Sequence, residues 1–348
     1  MLLPPYRSHF EKSYIPMAIK ANEQWLTASL YYSEPWEYFL AKVIKPYVDV
    51  VLQTGVADRF FFERSWEGSP HIRLFFKGNA DVLHHILRPN LKEHFQQYFE
   101  ARPSAAIDGG SMGTSPSLVI NTVQFEDPNP ACQPYGGQRE MEVLSKQFHA
   151  SSIMVLGKLK DKINHWSYNE LISNAIKLHL SFSYSVGLSI EETSRFFQFL
   201  ELDWMTNNMA AAAAHEDGIL PYFRRIFDAQ KGDIISYHAA LWELFKNYRK
   251  TEDEGFIAWF HANANVGLEL SLALESGKLQ TKPGIFPEEQ FDNPEQAHLW
   301  NFFAEFVRST NNRLGIQGRD EGYLYFAISK SLRAVIATFY AKKKVVTR

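Results

Sequence analysis

Arg64 and Arg73 each stand inside a run of aromatic and aliphatic residues, Arg59-Phe60-Phe61-Phe62-Glu63-Arg64-Ser65 and His71-Ile72-Arg73-Leu74-Phe75-Phe76-Lys77. A cation in such a run is costly to bury unless an anion is provided for it. Two readings follow. Either both are edge-strand arginines in solvent, or they are a pair of fixed cations facing a carboxylate-bearing substrate, which a planar guanidinium can hold with two parallel hydrogen bonds. His71 and His149 add imidazoles able to move a proton near neutral pH. Tyr135 offers a phenol to a carbonyl oxygen, and Arg308, Asn312 and Arg313 form a second polar group near the C-terminus.

Each of these has a plainer reading. His71 and His149 can be core or capped histidines, and Tyr135 can simply pack at a turn made possible by Gly136 and Gly137. Asn312 and Arg313 are either a helix-end hydrogen-bond pair or a substrate clamp. Other clusters carry less. His84 and His85 are adjacent and point apart, with no acid to complete a metal site. Glu191-Glu192 and Glu252-Asp253-Glu254 read as helix starts. The glycine pair has neither GxGxxG nor GK[ST] around it, so no phosphate loop is expected.

The elements that must position these residues fall in a clear order. Gln24–Tyr32 alternates as a strand, and Ser33, Glu34 and Pro35 open a helix whose apolar stripe runs from Trp36 to Leu52, with a kink expected at Pro46 and a cap at Gly55. Two strands follow, 59–65 and 71–77, joined by the turn 66–70. A helix over about 81–98, broken or kinked at Pro89, leads through a Gly/Ser-rich loop, 105–116, to a fourth strand at 117–125. Strand, helix, strand, strand, helix, strand is the split, ferredoxin-like order. Everything after Gly137 reads helical, with two capping boxes, Ser167 with Glu170 and Ser189 with Glu192. The fold class is therefore α+β: an N-terminal arm (1–22), an α+β subdomain with a small sheet (23–137) and a helical subdomain (138–348), integrated as one domain.

Composition narrows the function classes. The 348 residues are 45% hydrophobic and 15% aromatic, enough for large buried clusters, and the net charge of -3 provides no basic field for direct nucleic-acid binding. One cysteine, Cys132, excludes a disulfide framework and a multi-cysteine metal site. No signal peptide and no membrane span are expected, which makes the cytoplasm the default compartment.

With the order of elements fixed, the local motifs resemble the elimination-type C-terminal domain of class I lantibiotic dehydratases, found alone as thiopeptide-type bacteriocin biosynthesis proteins. The resemblance covers nearly the whole chain. It rests on the Trp25 strand and its helix, and on the aromatic strand ending at Arg64 before Pro70-His71-Ile72-Arg73-Leu74. Tyr135-Gly136-Gly137, Phe148-His149-Ala150 followed by Ser152, and Asn312-Arg313-Leu314-Gly315 complete it. It implies a cofactor-free lyase without a metal, acting on a ribosomally made, leader-bearing precursor peptide. A separate glutamylating subunit using glutamyl-tRNA would load Ser or Thr, and this protein would remove glutamate to leave dehydroamino acids. Under that reading His149, Arg73 and Tyr135 are catalytic, and Arg64, His71, Arg308, Asn312 and Arg313 bind substrate. The resemblance also allows a homodimer.

Departures from the family pattern keep other readings open. Phe75 stands where a second strand arginine is usual, and Ala131 and Pro134 replace the acid and arginine around Tyr135-Gly136-Gly137. Arg308 occupies the place of a usual histidine, and Ser151 that of an aspartate. Losing two cations from a carboxylate cradle costs several kcal/mol, at about 1.5–3 each. The alternatives are a formal [4+2], pyridine-forming cycloaddition, or a non-catalytic subunit that binds the peptide or a dehydratase partner.

Overall fold

Four extended segments, rich in aromatic and aliphatic residues and mostly buried on both sides, build one antiparallel sheet. The computed structural model describes residues 22–104, 120–126, 138–160, 167–208, 218–251, 253–277, 279, 284–286, 288–291 and 293–346. Strands β1 (Glu23–Tyr31), β2 (Arg59–Ser65), β3 (His71–Asn79) and β4 (Thr122–Glu126) lie in the order β2-β3-β1-β4. That arrangement is the one the split strand order implies. The arm at 1–21, the loop 105–116, Cys132, Tyr135, Gly136, Gly137 and the alanine run 210–214 lie outside the described residues.

Helix α1 runs through Glu37–Phe39, Leu40–Ile44 and Lys45–Gln53, and α2 through Ala80–Val82, Leu83–Leu87 and Arg88–Ala101. Both middle segments are π-helical turns ending two residues before a proline, Pro46 or Pro89. A proline has no N–H to give the preceding turn, so the ladder widens rather than breaks. The kinks expected at these prolines take this form. Gly55, at φ +69°, closes α1 in the left-handed region.

One face of the sheet carries Leu26, Ala28, Leu30, Phe60, Phe62, Ile72, Leu74 and Phe76, all buried. Helices α1 and α2 cover this face: Glu37 reaches Arg64 there, and Gly78 lets Val56, Ala57 and Leu83 approach its backbone. The opposite face carries Trp25, Phe61 and Phe75, with Phe61 and Phe75 stacked at 4.2 Å. Helix α3 (Gln138–Lys160) meets it through Phe148, 5.4 Å from Phe61. Burying side chains of this size contributes roughly 1.5–3 kcal/mol each.

The chain divides into two compact units, residues 1–165 and 166–348. Sheet, α1, α2 and α3 make the first. The second is helical: α4 (Tyr168–Ser185), α5 (Ile190–Asn207), α6 (Ile219–Ala229), α7 (Lys231–Lys246), α8 (Glu254–Glu275), α9 (Pro294–Leu314) and α10 (Arg319–Val346). Ser167 with Glu170 and Ser189 with Glu192 form both expected capping boxes. Helix α9 starts at Pro294, because the Asn293 side chain accepts from Glu295 N at 2.9 Å and Pro294 fits the first turn. No described helix is long and apolar enough to cross a membrane.

Candidate functional site

Residues paired across strands share a face of the sheet. Tyr31 pairs with His71, Ser29 with Arg73, and Arg73 on its other side with Glu63. These five side chains therefore make one polar patch, which Glu126 joins from the end of β4. Arg73 Nη2 donates to Glu126 Oε2 at 2.6 Å, and its Nη1 lies 3.9 Å from Glu63 Oε2. Ser29 Oγ donates to Glu126 Oε1. Burial works against the charge on Glu126, but hydrogen bonds from Ser29 and Arg73 outweigh it and hold the carboxyl below its usual value.

His71 is only 4% exposed, and its Nδ1–H donates to Ser69 O at 2.7 Å. A carbonyl can only accept, so this bond fixes the tautomer and leaves the lone pair on Nε2. Burial lowers the imidazole pKa in spite of that bond, so the ring is neutral at pH 7. The Tyr31 ring lies against it at 4.6 Å, and burial with nearby Glu126 raises the phenol's pKa. The patch thus joins a neutral imidazole base, a protonated phenol and a guanidinium. That set can take a proton from carbon and steady the charge that develops.

Arg64 is elsewhere. It pairs with Ile72 in the register, so it faces the side opposite Arg73, and the two guanidinium groups cannot form one cradle. Its Nη1 donates to Glu37 Oε1 at 3.1 Å, and its charge lies 5.9 Å from the Trp36 ring centre. Desolvation lowers its pKa, with Glu37 opposing. The anion that a buried strand arginine requires comes, for both, from this chain itself.

His149 sits on α3 along the open edge of β2. Its Nδ1–H donates to Phe60 O at 2.9 Å, and Ser152 Oγ accepts from Phe62 N at 3.2 Å. Glu142, Ser145, His149 and Ser152 recur at three and four, one helical stripe. Glu142 and Ser145 take the Arg59 guanidinium at 3.2 and 2.7 Å. The stripe satisfies backbone groups that an edge strand would otherwise expose. His149 meets β2 at Phe60 and His71 meets it at Ser65, roughly 17 Å apart along the strand at ~3.3 Å per residue. The two imidazoles are not brought together. Tyr135 lies outside the described residues.

In the helical unit, Arg308 pairs with Asp203 at 2.5 Å, Arg313 is fully buried and Asn312 is half-buried. All three sit on α9, which ends at Gly315 in the left-handed region. Beside them is a network that the sequence analysis missed. His179 Nε2–H donates to Asn311 Oδ1 at 2.6 Å, and Asn311 Nδ2 donates to Glu321 Oε1 at 3.1 Å and Tyr325 OH at 3.2 Å. Tyr325 OH donates to Glu321 Oε1 at 2.6 Å. Burial drives the His179 pKa down to about 4 and the Tyr325 phenol well up. The signal was present: His179 falls at i+4 from Ala175 and i+3 from Ile176, both core positions. Glu126 and Tyr31 were also missed, and strand parity alone aligns them with Arg73. Among the described residues, no cluster of three or more His, Cys, Asp or Glu could hold a metal ion.

A family model for the lantibiotic biosynthesis dehydratase C-terminal region matches residues 25–332. No curated protein matches the chain. Among solved structures, the chain is similar to the pyridine synthase TbtD from thiomuracin biosynthesis, with 15% identity and a TM-score of 0.66 over 90% of this chain and 99% of that one. TsrL matches at 14% identity and a TM-score of 0.61, over 91% and 96%. The tRNA-dependent lantibiotic dehydratase MibB from Microbispora sp. 107891 matches at 14% and 0.59, over 94% of this chain and 29% of that protein. At these identities the likeness shows the fold.

Proposed function

The chain belongs to the family of lantibiotic biosynthesis dehydratase C-terminal domains, and we propose that it tailors a ribosomally synthesised, leader-bearing peptide by β-elimination of glutamate from glutamylated Ser or Thr. The supporting observation is the polar patch on the sheet, where His71, Tyr31 and Arg73 lie side by side with the His71 tautomer fixed. His71 Nε2 takes the Cα proton, and the electron pair left on carbon expels glutamate from Cβ, giving the dehydroamino acid. Arg73 steadies the developing enolate or the departing carboxylate. Tyr31 donates to the carbonyl oxygen. His149 and Ser152 act as positioning residues, because they tie the outer edge of β2 to α3. Arg308, Asn312 and Arg313 belong to the helical unit and carry no step of this reading. The partners are the precursor peptide and a separate glutamylating subunit, the compartment is the cytoplasm, and the reaction uses no cofactor.

A second reading draws support from one observation. Arg73 stands between two carboxylates, Glu126 and Glu63, and Arg64 already has Glu37. A substrate carboxylate would have to displace or join an acid the chain supplies. A reaction without an anionic leaving group, such as pyridine-forming cycloaddition between two dehydroalanines, avoids that repulsion. Mass spectrometry of a glutamylated precursor peptide separates the readings. Loss of the glutamyl mass on adding the protein supports elimination. An unchanged mass, with a dehydrated peptide converted instead, supports the second. A peptide retained on the protein and unchanged in either reaction leaves a binding subunit.

A further inference from the structure

Helices α4, α6, α7 and α10 of the helical unit border an open cavity of about 290 Å³ that none of the residues discussed for the peptide reaction lines. Its floor is buried and largely apolar, built by Ile172, Ile176, Tyr323, Ala327 and His238. Asn169, Gln230 and Asp233 stand exposed at its rim. A dry cavity of roughly 150 Å³ already admits benzene, so this one has room for a phenol- or indole-sized group.

His238 sets the chemistry of the floor. The ring is fully buried, and Nδ1 is bonded to Ser331 Oγ on α10. The Ser331 hydroxyl donates to Ile328 O at 3.1 Å, so in that bond the imidazole is the donor and Nδ1 carries the proton. The lone pair is then on Nε2, which is buried and has no hydrogen-bond partner among the described residues. A buried acceptor without a donor is costly, and an entering O–H or N–H removes that cost. The floor offers no fixed countercharge, so the entering group is neutral.

We propose that this cavity is a binding site for a neutral aromatic group with one O–H or N–H donor, held by the donor on His238 Nε2 and by its ring on the isoleucine floor. A tyrosine or tryptophan side chain of a peptide and a free small aromatic share this chemistry. The proposal stands apart from the elimination reading, since it concerns neither the sheet patch nor a glutamylated residue.

Titration of the full chain by ligand-observed NMR tests it, with p-cresol, toluene, and end-capped tripeptides Gly-Tyr-Gly and Gly-Ala-Gly as probes. The site should bind p-cresol saturably and roughly three- to tenfold more tightly than toluene, the usual worth of one hydrogen bond. His238→Leu should remove that preference and leave toluene binding. Ile234→Trp, from a half-buried position on the lining, should block both probes with an unchanged circular dichroism spectrum. If His238→Leu does not fold, Ile234→Trp and the p-cresol to toluene ratio carry the test. Binding of the tyrosine tripeptide but not the alanine one assigns a peptide side chain as the occupant, and binding of p-cresol alone assigns a free small molecule. The proposal is overturned by no saturable binding of any aromatic probe, by equal affinity for p-cresol and toluene, or by binding that survives Ile234→Trp.

Discussion

In the sheet unit, Arg73, Lys77 and Arg59 meet Glu126, Glu63, Glu23 and Glu142 in ion pairs that solvent still reaches; the paired side chains are 12–43% exposed. In the helical unit, His179, Asn311 and Tyr325 meet each other out of solvent through hydrogen bonds of 2.6 and 3.2 Å, with part-buried Glu321 at the edge of the network. The difference follows from the elements. A strand turns alternate residues to opposite sides, so a charged row can share one strand with an apolar row behind it. A helix buried on several sides has no such second face, and its polar residues must be matched in place. Polar groups on the sheet can therefore be spent on chemistry at little cost in stability. Those buried between helices carry a larger cost when left unmatched, as His238 Nε2 is.

The comparison breaks first, if it is wrong, at Asn311. Asn311→Leu leaves His179, Glu321 and Tyr325 without their common partner, and should cost about 3–5 kcal/mol, read from the urea midpoint. A loss below about 1 kcal/mol would show that the helical network is not structural. Next in size is the acid limb of stability. His179 has a folded pKa of about 4, below the ~6.5 of an unfolded histidine. Between these values the unfolded chain binds more protons, so the contribution is complete above about pH 6.5 and is lost as pH falls toward 4. About 2 kcal/mol should disappear between pH 7 and pH 5 on this account, and a His179→Phe variant should show a correspondingly flatter limb.

Smaller effects sharpen the sheet side. Ser152→Ala removes the acceptor for Phe62 N at the β2 edge and should cost about 1 kcal/mol, with faster hydrogen exchange confined to β2. Glu126→Gln breaks a partly exposed pair and should change stability by less than ~1 kcal/mol. It should nevertheless alter the peptide reaction, since it frees Arg73 from its nearest acid. If carboxylate repulsion at Arg73 is what limits glutamate binding, KM for the glutamylated peptide falls in this variant while kcat changes less.

Much of the scaffold was legible in the residues. The Phe-rich runs around Arg64 and Arg73 specified β2 and β3, the serine–glutamate spacings specified two helix starts, and Pro46 and Pro89 marked the irregular turns. What sits beside what was harder to read. Arg64 and Arg73 look alike in sequence, yet they are separated by an odd number of register steps and so serve opposite faces. His149 reads as a proton carrier by type, and only the position of β2 at the sheet edge gives it backbone partners. Glu126 lay one residue past the expected end of its strand, so the partner of Arg73 was not anticipated.

The central claim is that the neutral His71 imidazole on the sheet face does the proton transfer. It is tested most directly by the pH dependence of glutamyl loss from a glutamylated peptide, for wild type and His71→Gln. Because the base form is required and burial lowers the His71 pKa, the wild-type rate should rise with pH through a value below 6.5 and stay level above it. The His71→Gln protein should fold normally and lose at least about 10²-fold in rate, the lower worth of a positioned base. A variant that turns over at the wild-type rate with the same pH profile would contradict the account.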